Sequence, residues 1–142
     1  MRRAGAAGAA LLMTTMVLLA EERKPWPVPA GAKQRTNPVA ATAASLREGG
    51  RFYRELCLIC HGERGDGNGP WRDKLATDPS DFTDAKRIAA MTDGEIFWRL
   101  SKGRGLMPGF EKQLNERQRW SVVNHLRTFA KSQTQAAAQR AY

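Results

Sequence analysis

Apolar side chains recur at the three- and four-residue spacing of amphipathic helices in three stretches of the chain. Each stretch starts with a polar residue that can cap a helix, followed three positions later by an acidic or amide side chain: Ser45 and Glu48, Thr92 and Glu95, Asn115 and Gln118. No stretch alternates apolar and polar residues for long enough to predict a strand. The pattern therefore predicts an all-α domain with long loops between its helices.

The segments outside these helices differ in character. Two arginines and an uncharged run that ends at Ala20 are typical of a secretory signal peptide over residues 1–20, with an uncleaved anchor as the alternative. Residues 21–44 contain four prolines, which favour an extended lead or linker and disfavour helix. We place the domain at 45–131 and expect a flexible tail at 132–142, where the apolar stripe is missing.

Composition narrows the class of protein. The chain has 23 Lys and Arg against 14 Asp and Glu, a net charge of +9, and it contains two cysteines and two histidines. These counts exclude a multi-disulfide scaffold and a four-cysteine zinc site. Loop-rich residues 61–91 leave a thin core for the helices to share. Small domains of this kind usually need a metal or a cofactor for stability.

The two cysteines and one histidine form a motif, Cys57-Leu58-Ile59-Cys60-His61. The spacing C-x-x-C-H is the attachment pattern of c-type haem, in which two thiols bind the porphyrin edge and the next residue is an iron ligand. Two alternatives use the same residues. One is a Cys57–Cys60 redox disulfide, for which the usual βαβ pattern is missing, and the other is a zinc site completed by His125.

A c-type haem iron also has a sixth position, and three downstream residues are candidates for it. Met107 is favoured because it lies in a glycine-rich loop that can approach a porphyrin closely and is followed by Pro108. Met91 and His125 are weaker candidates, because each lies where core packing is the commoner role. An iron without a second protein ligand is the remaining alternative.

At these residues the chain resembles the class I monohaem cytochromes c, especially the bacterial cytochrome c6 and cbb3-type subunit branch. The resemblance covers about 45–131 and rests on four pieces of sequence: Cys57-x-x-Cys60-His61-Gly62, Gly65-Asp66-Gly67-Asn68-Gly69-Pro70, Asp81-Phe82 and Gly105-Leu106-Met107-Pro108. It implies a small fold of three to five helices around one covalent haem c, with thioether bonds to Cys57 and Cys60 and axial ligands His61 and Met107.

The resemblance also implies two supporting contacts. The Pro70 carbonyl would accept a hydrogen bond from the second ring nitrogen of His61 and so fix its tautomer. Gly49 or Gly50 would pack against Trp120 where the first and last helices cross.

The expected function is one-electron transfer, without catalytic residues, between respiratory-chain donors and acceptors. The alternative is a fixed haem subunit of a larger membrane oxidoreductase. The signal segment predicts a periplasmic or other extracytoplasmic location, with a possible membrane tether through residues 4–20, and it disfavours nucleic acid as a partner. Residues 45–131 carry 16 basic and 12 acidic residues, which favours encounter with acidic surfaces of redox partner proteins.

Overall fold

The computed structural model describes residues 25–140, apart from the side chains of residues 133, 134 and 136–140. Within this range the chain forms six α-helices and no strand, which confirms the predicted all-α class. The helices are α1 (Ala30–Lys33), α2 (Ala43–Leu56), α3 (Leu58–His61), α4 (Ala85–Ala89), α5 (Asp93–Lys102) and α6 (Glu116–Arg140). The sequence predicted three to five helices. The count is higher because three of the six helices are short, with only four or five residues each.

The central contact of the fold is the crossing of α2 and α6. A Cβ atom built on Gly49 would lie 2.0 Å from the Ser121 carbonyl oxygen, so the two backbones approach as closely as glycine allows. Gly50 faces the ring of His125 in the same crossing. The prediction that Trp120 packs against this glycine is therefore wrong. The backbone of Ser121, one residue further along α6, lies against Gly49 instead.

Trp120 instead faces α5. Its side chain is fully buried and stacks on Phe97, with ring centroids 3.9 Å apart and an interplanar angle of 18°. The same buried cluster includes residues of α2, α4, α5 and α6 and of the intervening loops: Phe52, Tyr53, Phe82, Ile88, Ile96, Leu100, Phe110, Leu114, Val122, Val123, Leu126 and Ala130. The core thus lies between α2, α5 and α6, and the connecting loops fold over it.

Two of the three predicted helix starts are confirmed. Thr92 and Glu95 cap α5 reciprocally, and the Asn115 and Gln118 side chains do the same for each other's N–H groups at the start of α6 (both 2.9 Å). The start of α2 lies one turn earlier than predicted. Its N-cap is Thr42, and Ser45 is the residue that completes the capping box. Because serine replaces the usual acidic residue there, the box did not match the expected pattern.

Two helical stretches in the flanking segments were not predicted from the sequence. Helix α1 forms within the proline-rich lead, because the stretch between Pro29 and Pro38 has no proline to interrupt it. At the other end, the backbone of α6 stays helical to Arg140, where a flexible tail from residue 132 was expected. The predicted signal segment, residues 1–20, lies outside the described residues. Within 25–140, no helix has the length and apolar character required to cross a membrane.

Candidate functional site

Cys57 is the single residue between α2 and α3. Its N–H donates to the Tyr53 carbonyl at the end of α2, and its own carbonyl accepts from the N–H groups of Cys60 (3.2 Å) and His61 (2.9 Å). The motif residues therefore form one compact helical turn, and positions three apart in such a turn lie on the same side. Both cysteines are unbonded and partly buried. Two thiols and an imidazole are thus brought together within five residues.

Burial, with a smaller contribution from neighbouring Cys60, raises the pKa of the Cys57 thiol to about 12. A redox-active cysteine needs the opposite, because the thiolate is the nucleophile in disulfide exchange. The zinc alternative has little support as well: among residues 25–140, no three His, Cys, Asp or Glu side chains converge as a metal site. His125 is part of the helix crossing, where its ring packs against Tyr53 and Phe129.

The imidazole of His61 is fixed from two directions. Its Nδ1 lies 3.1 Å from the Ser80 carbonyl oxygen, and its ring stacks on Phe82 at a centroid distance of 4.7 Å. Because a carbonyl accepts but never donates, Nδ1 carries the proton in this hydrogen bond. Burial lowers the pKa of His61, and the Ser80 carbonyl opposes that change. The neutral ring therefore has Nε2 available as a ligand atom.

This arrangement corrects the role expected for Pro70, because the carbonyl at His61 belongs to Ser80. Pro70 is exposed and lies between two residues that bond back to α3: the Gly69 N–H donates to Cys60 and the Trp71 N–H to Ile59. The chain then continues through a 3-10 turn, Arg72–Lys74, before it returns to His61. The acceptor is a backbone atom, so no side chain in the sequence indicated its position.

The buried hydroxyl of Tyr53 ties the motif to the core. It donates a 2.7 Å hydrogen bond to the carbonyl of Gly62, the residue directly after His61. Desolvation raises the pKa of this phenol well above its ordinary value, so the group stays protonated as a donor. The Tyr53 ring also contacts Phe82 edge-on, with centroids 6.5 Å apart. Helix α2 therefore holds both the start and the end of the motif.

Met107 lies in a separate loop, residues 103–109, which follows α5. Gly103 ends the helix with a φ of +67°, a value that side chains disfavour. Arg104 and Met107 then exchange backbone hydrogen bonds of 2.8 and 3.0 Å, which close a tight turn. Met107 is half-buried, whereas neighbouring Leu106 is 73% exposed. Phe110 anchors the loop, because its side chain is buried and its N–H donates to Leu100.

The weaker ligand candidates have other contacts. The Met91 sulfur lies 3.0 Å from an Nη atom of Arg99, and the Met91 carbonyl accepts from Arg127 (2.6 Å). His125 is packed in the α2–α6 crossing, as described above. Met91 lies in the short link between α4 and α5, and His125 lies within α6, so neither lies in a glycine-rich loop like that of Met107.

The protein-family model described as cytochrome C oxidase, cbb3-type, subunit III matches residues 44–126, more than half of the chain. The chain belongs to this family. Residues 44–126 are thus a monohaem cytochrome c-like domain, and the match confirms the resemblance inferred from the motifs. No curated protein matches the chain in sequence.

A solved structure supports the same fold for this cytochrome. It is a chain of the reducing HAO-like protein complex of Kuenenia stuttgartiensis, with 27% sequence identity and a TM-score of 0.58. The alignment covers 77% of the present chain and 52% of the other, so the cytochrome spans about half the length of that chain.

Membership of a cytochrome c family implies haem c, and the donor set of this chain fits that group. Cys57 and Cys60 are unbonded on one turn, His61 has its Nδ1 committed to Ser80, and Met107 supplies a thioether from another loop. Soft sulfur and imidazole donors suit haem iron. All of these residues except Ser80 were predicted from the sequence.

Proposed function

We propose that this cytochrome is a one-electron carrier with a single haem c bound to Cys57 and Cys60 and ligated by His61 and Met107. The observation that carries the proposal is the turn at residues 57–61, where two unbonded thiols lie beside an imidazole that Ser80 holds by Nδ1. A haem iron with histidine and methionine ligands takes up and releases one electron.

The protein residues would set the properties of this centre. The Ser80 carbonyl orients the His61 ring and increases its basicity as a ligand. The neutral thioether of Met107 favours the reduced iron, and apolar side chains such as Phe82 disfavour an added positive charge, so we expect a positive reduction potential. We assign no catalytic residue to the domain.

We further propose that the protein works outside the cytoplasm with redox partner proteins of the respiratory chain. Residues 1–20 support export, because they have the charge and hydropathy pattern of a signal peptide. The excess of basic residues in 45–131 favours partners with acidic surfaces, and association with them should weaken as salt increases.

A second candidate is a fixed haem subunit of a larger oxidoreductase. It is favoured by the similarity to a chain of a protein complex, of which this cytochrome spans about half the length. Native purification in a mild detergent at low salt would distinguish the two proposals. A complex that survives gel filtration favours the subunit, whereas elution at the monomer mass favours the shuttle.

The ligation is tested by Met107→Ala, with Met91→Ala as the matched control. The wild-type oxidised protein should show the near-infrared band of a sulfur–iron bond. Met107→Ala should lose this band, bind external ligands and have a lower potential, while Met91→Ala should keep the band. Retention of the band in Met107→Ala would remove Met107 from the iron. Complete loss of colour from the protein on acid–acetone extraction would contradict covalent attachment.

A further inference from the structure

The lead that precedes α2 is packed along the domain for most of its described length. Val28 is buried, and the Lys33 carbonyl accepts a 2.8 Å hydrogen bond from the Thr92 hydroxyl at the start of α5. The Arg35 guanidinium lies over the rings of Phe97 (4.7 Å) and Trp120 (5.3 Å). This segment, residues 25–37, is called the strap below.

The end of the strap that leads into α2 is fixed by a pair of amides. Asn37 Nδ2 donates to Oδ1 of Asn124 in α6 (2.8 Å), and Asn124 Nδ2 donates to the Val39 carbonyl (2.9 Å). These contacts join residues more than 80 positions apart in sequence. Both α5 and α6 therefore hold the strap in place, and its first residues have a defined position relative to the domain.

Those first residues meet the loop that carries Met107. The ring of Trp26 lies beneath two guanidinium groups, with 5.4 Å from its centroid to Arg99 and 5.7 Å to Arg104. Arg104 also donates a 3.1 Å hydrogen bond to the Pro25 carbonyl. Cation–π contacts of this kind contribute to stability even at partly exposed sites. The strap thus contacts the Arg99 side chain of α5 and the Arg104 side chain of the loop.

Arg104 connects this contact to Met107 through the backbone. The two residues exchange both of their backbone hydrogen bonds, so the carbonyl and N–H of Met107 are held by Arg104. The rest of the loop tip has few restraints: Leu106 is exposed, and a Cβ built on Gly105 would meet nothing within 4 Å. Movement of the Met107 backbone away from the domain would therefore break the grip of Trp26 on Arg104.

We propose that the strap is a positioning element for Met107, in which Trp26 and the Pro25 carbonyl hold Arg104 and thereby keep the Met107 loop closed. The inference rests on the proposed His61 and Met107 ligation. Loss of the grip makes opening of the loop easier and leaves the covalent attachment at Cys57 and Cys60 unchanged.

The test is displacement of Met107 by imidazole in the oxidised holoprotein, followed through the near-infrared sulfur–iron band. In Trp26→Ala and in Arg104→Gln, the imidazole concentration at half-displacement should fall about threefold, as expected when the one weak cation–π contact between Trp26 and Arg104 no longer opposes opening. In the double variant, the imidazole concentration at half-displacement should fall by much less than the product of the two single-variant factors, because both changes break the same contact. Arg104 is exposed, so its variant should fold even if Trp26→Ala does not.

Two controls separate this role from a general loss of stability. Trp71→Ala removes an exposed tryptophan whose ring packs with Lys74 (5.5 Å), and it should leave the imidazole midpoint unchanged. The second control is the unfolding midpoint in denaturant, measured with imidazole at saturation. It should be the same for Arg104→Gln and the wild-type protein, because imidazole has already opened the loop in both.

The outcomes distinguish the two proposals. If Arg104→Gln has the same imidazole midpoint as the wild-type protein, and both show the sulfur–iron band, the strap inference is overturned and the proposed ligation stays intact. Absence of the band from the wild-type protein would overturn both. An equal shift in Trp71→Ala would show that the midpoint reports general stability, and it would also overturn the inference.

Discussion

Gly49→Ala should destabilise the holoprotein strongly, because the α2–α6 crossing has no space for a methyl group. The added Cβ would lie 2.0 Å from the Ser121 carbonyl oxygen, about 1.4 Å short of the distance at which ordinary contacts begin. The obstacle is backbone, so the helices must separate. Overpacking costs about 1–3 kcal/mol, and the helical preference of alanine recovers less than about 1 kcal/mol. Because the obstacle is backbone, we expect a net loss near the upper end of this difference, about 2 kcal/mol.

Denaturant unfolding of three holoproteins tests this reasoning. Gly50→Ala places its Cβ 3.1 Å from the His125 ring, which can turn aside, so its loss should stay below about 1 kcal/mol. Gly31→Ala meets nothing within 4 Å in α1, and its stability should be equal to or slightly above that of wild type. Equal unfolding midpoints for Gly49→Ala and Gly50→Ala would refute the argument from backbone proximity.

Two further predictions concern α2 and its neighbours. Tyr53→Phe removes the donor to the Gly62 carbonyl and should lower the free energy of unfolding by about 1–2 kcal/mol, measured in denaturant; a value equal to wild type would contradict the assigned hydrogen bond. Burial and nearby Arg54 lower the pKa of His125, so the unfolded chain binds the proton more readily and stability should be lost as pH falls below about 6.5. His125→Gln should reduce that slope in unfolding measured from pH 7 to 5, and an unchanged slope would exclude His125 as its source.

Local features of the chain were predictable from the sequence. The Thr92 and Asn115 caps act within one helical turn, so the residues that make them lie within four positions of each other. The turn at residues 57–61 is equally local, and its chemistry depends on the residue types. These features need no knowledge of the rest of the fold, which explains why the motif was informative in a chain with long loops.

Contacts between distant segments could not be predicted in the same way. The Ser80 carbonyl reaches His61 because the loop returns to it after 19 residues, and a backbone acceptor has no sequence pattern. The partner of Gly49 depends on the rotation of α6 about its axis, which decides between Ser121 and Trp120. The strap was predicted as an extended linker, because prolines describe its local conformation but not its long-range contact with Arg104.

The order of synthesis gives the α2–α6 crossing one more consequence. The cysteine turn follows α2 directly, whereas α6 begins at Glu116, so more than fifty residues must be made before the turn meets its packing partner. Cys57 packs against a core that α6 completes. Before that helix arrives, the burial that raises the pKa of Cys57 in the folded domain is incomplete. In the folding chain, the Cys57 thiol therefore ionises more readily than it does in the completed domain.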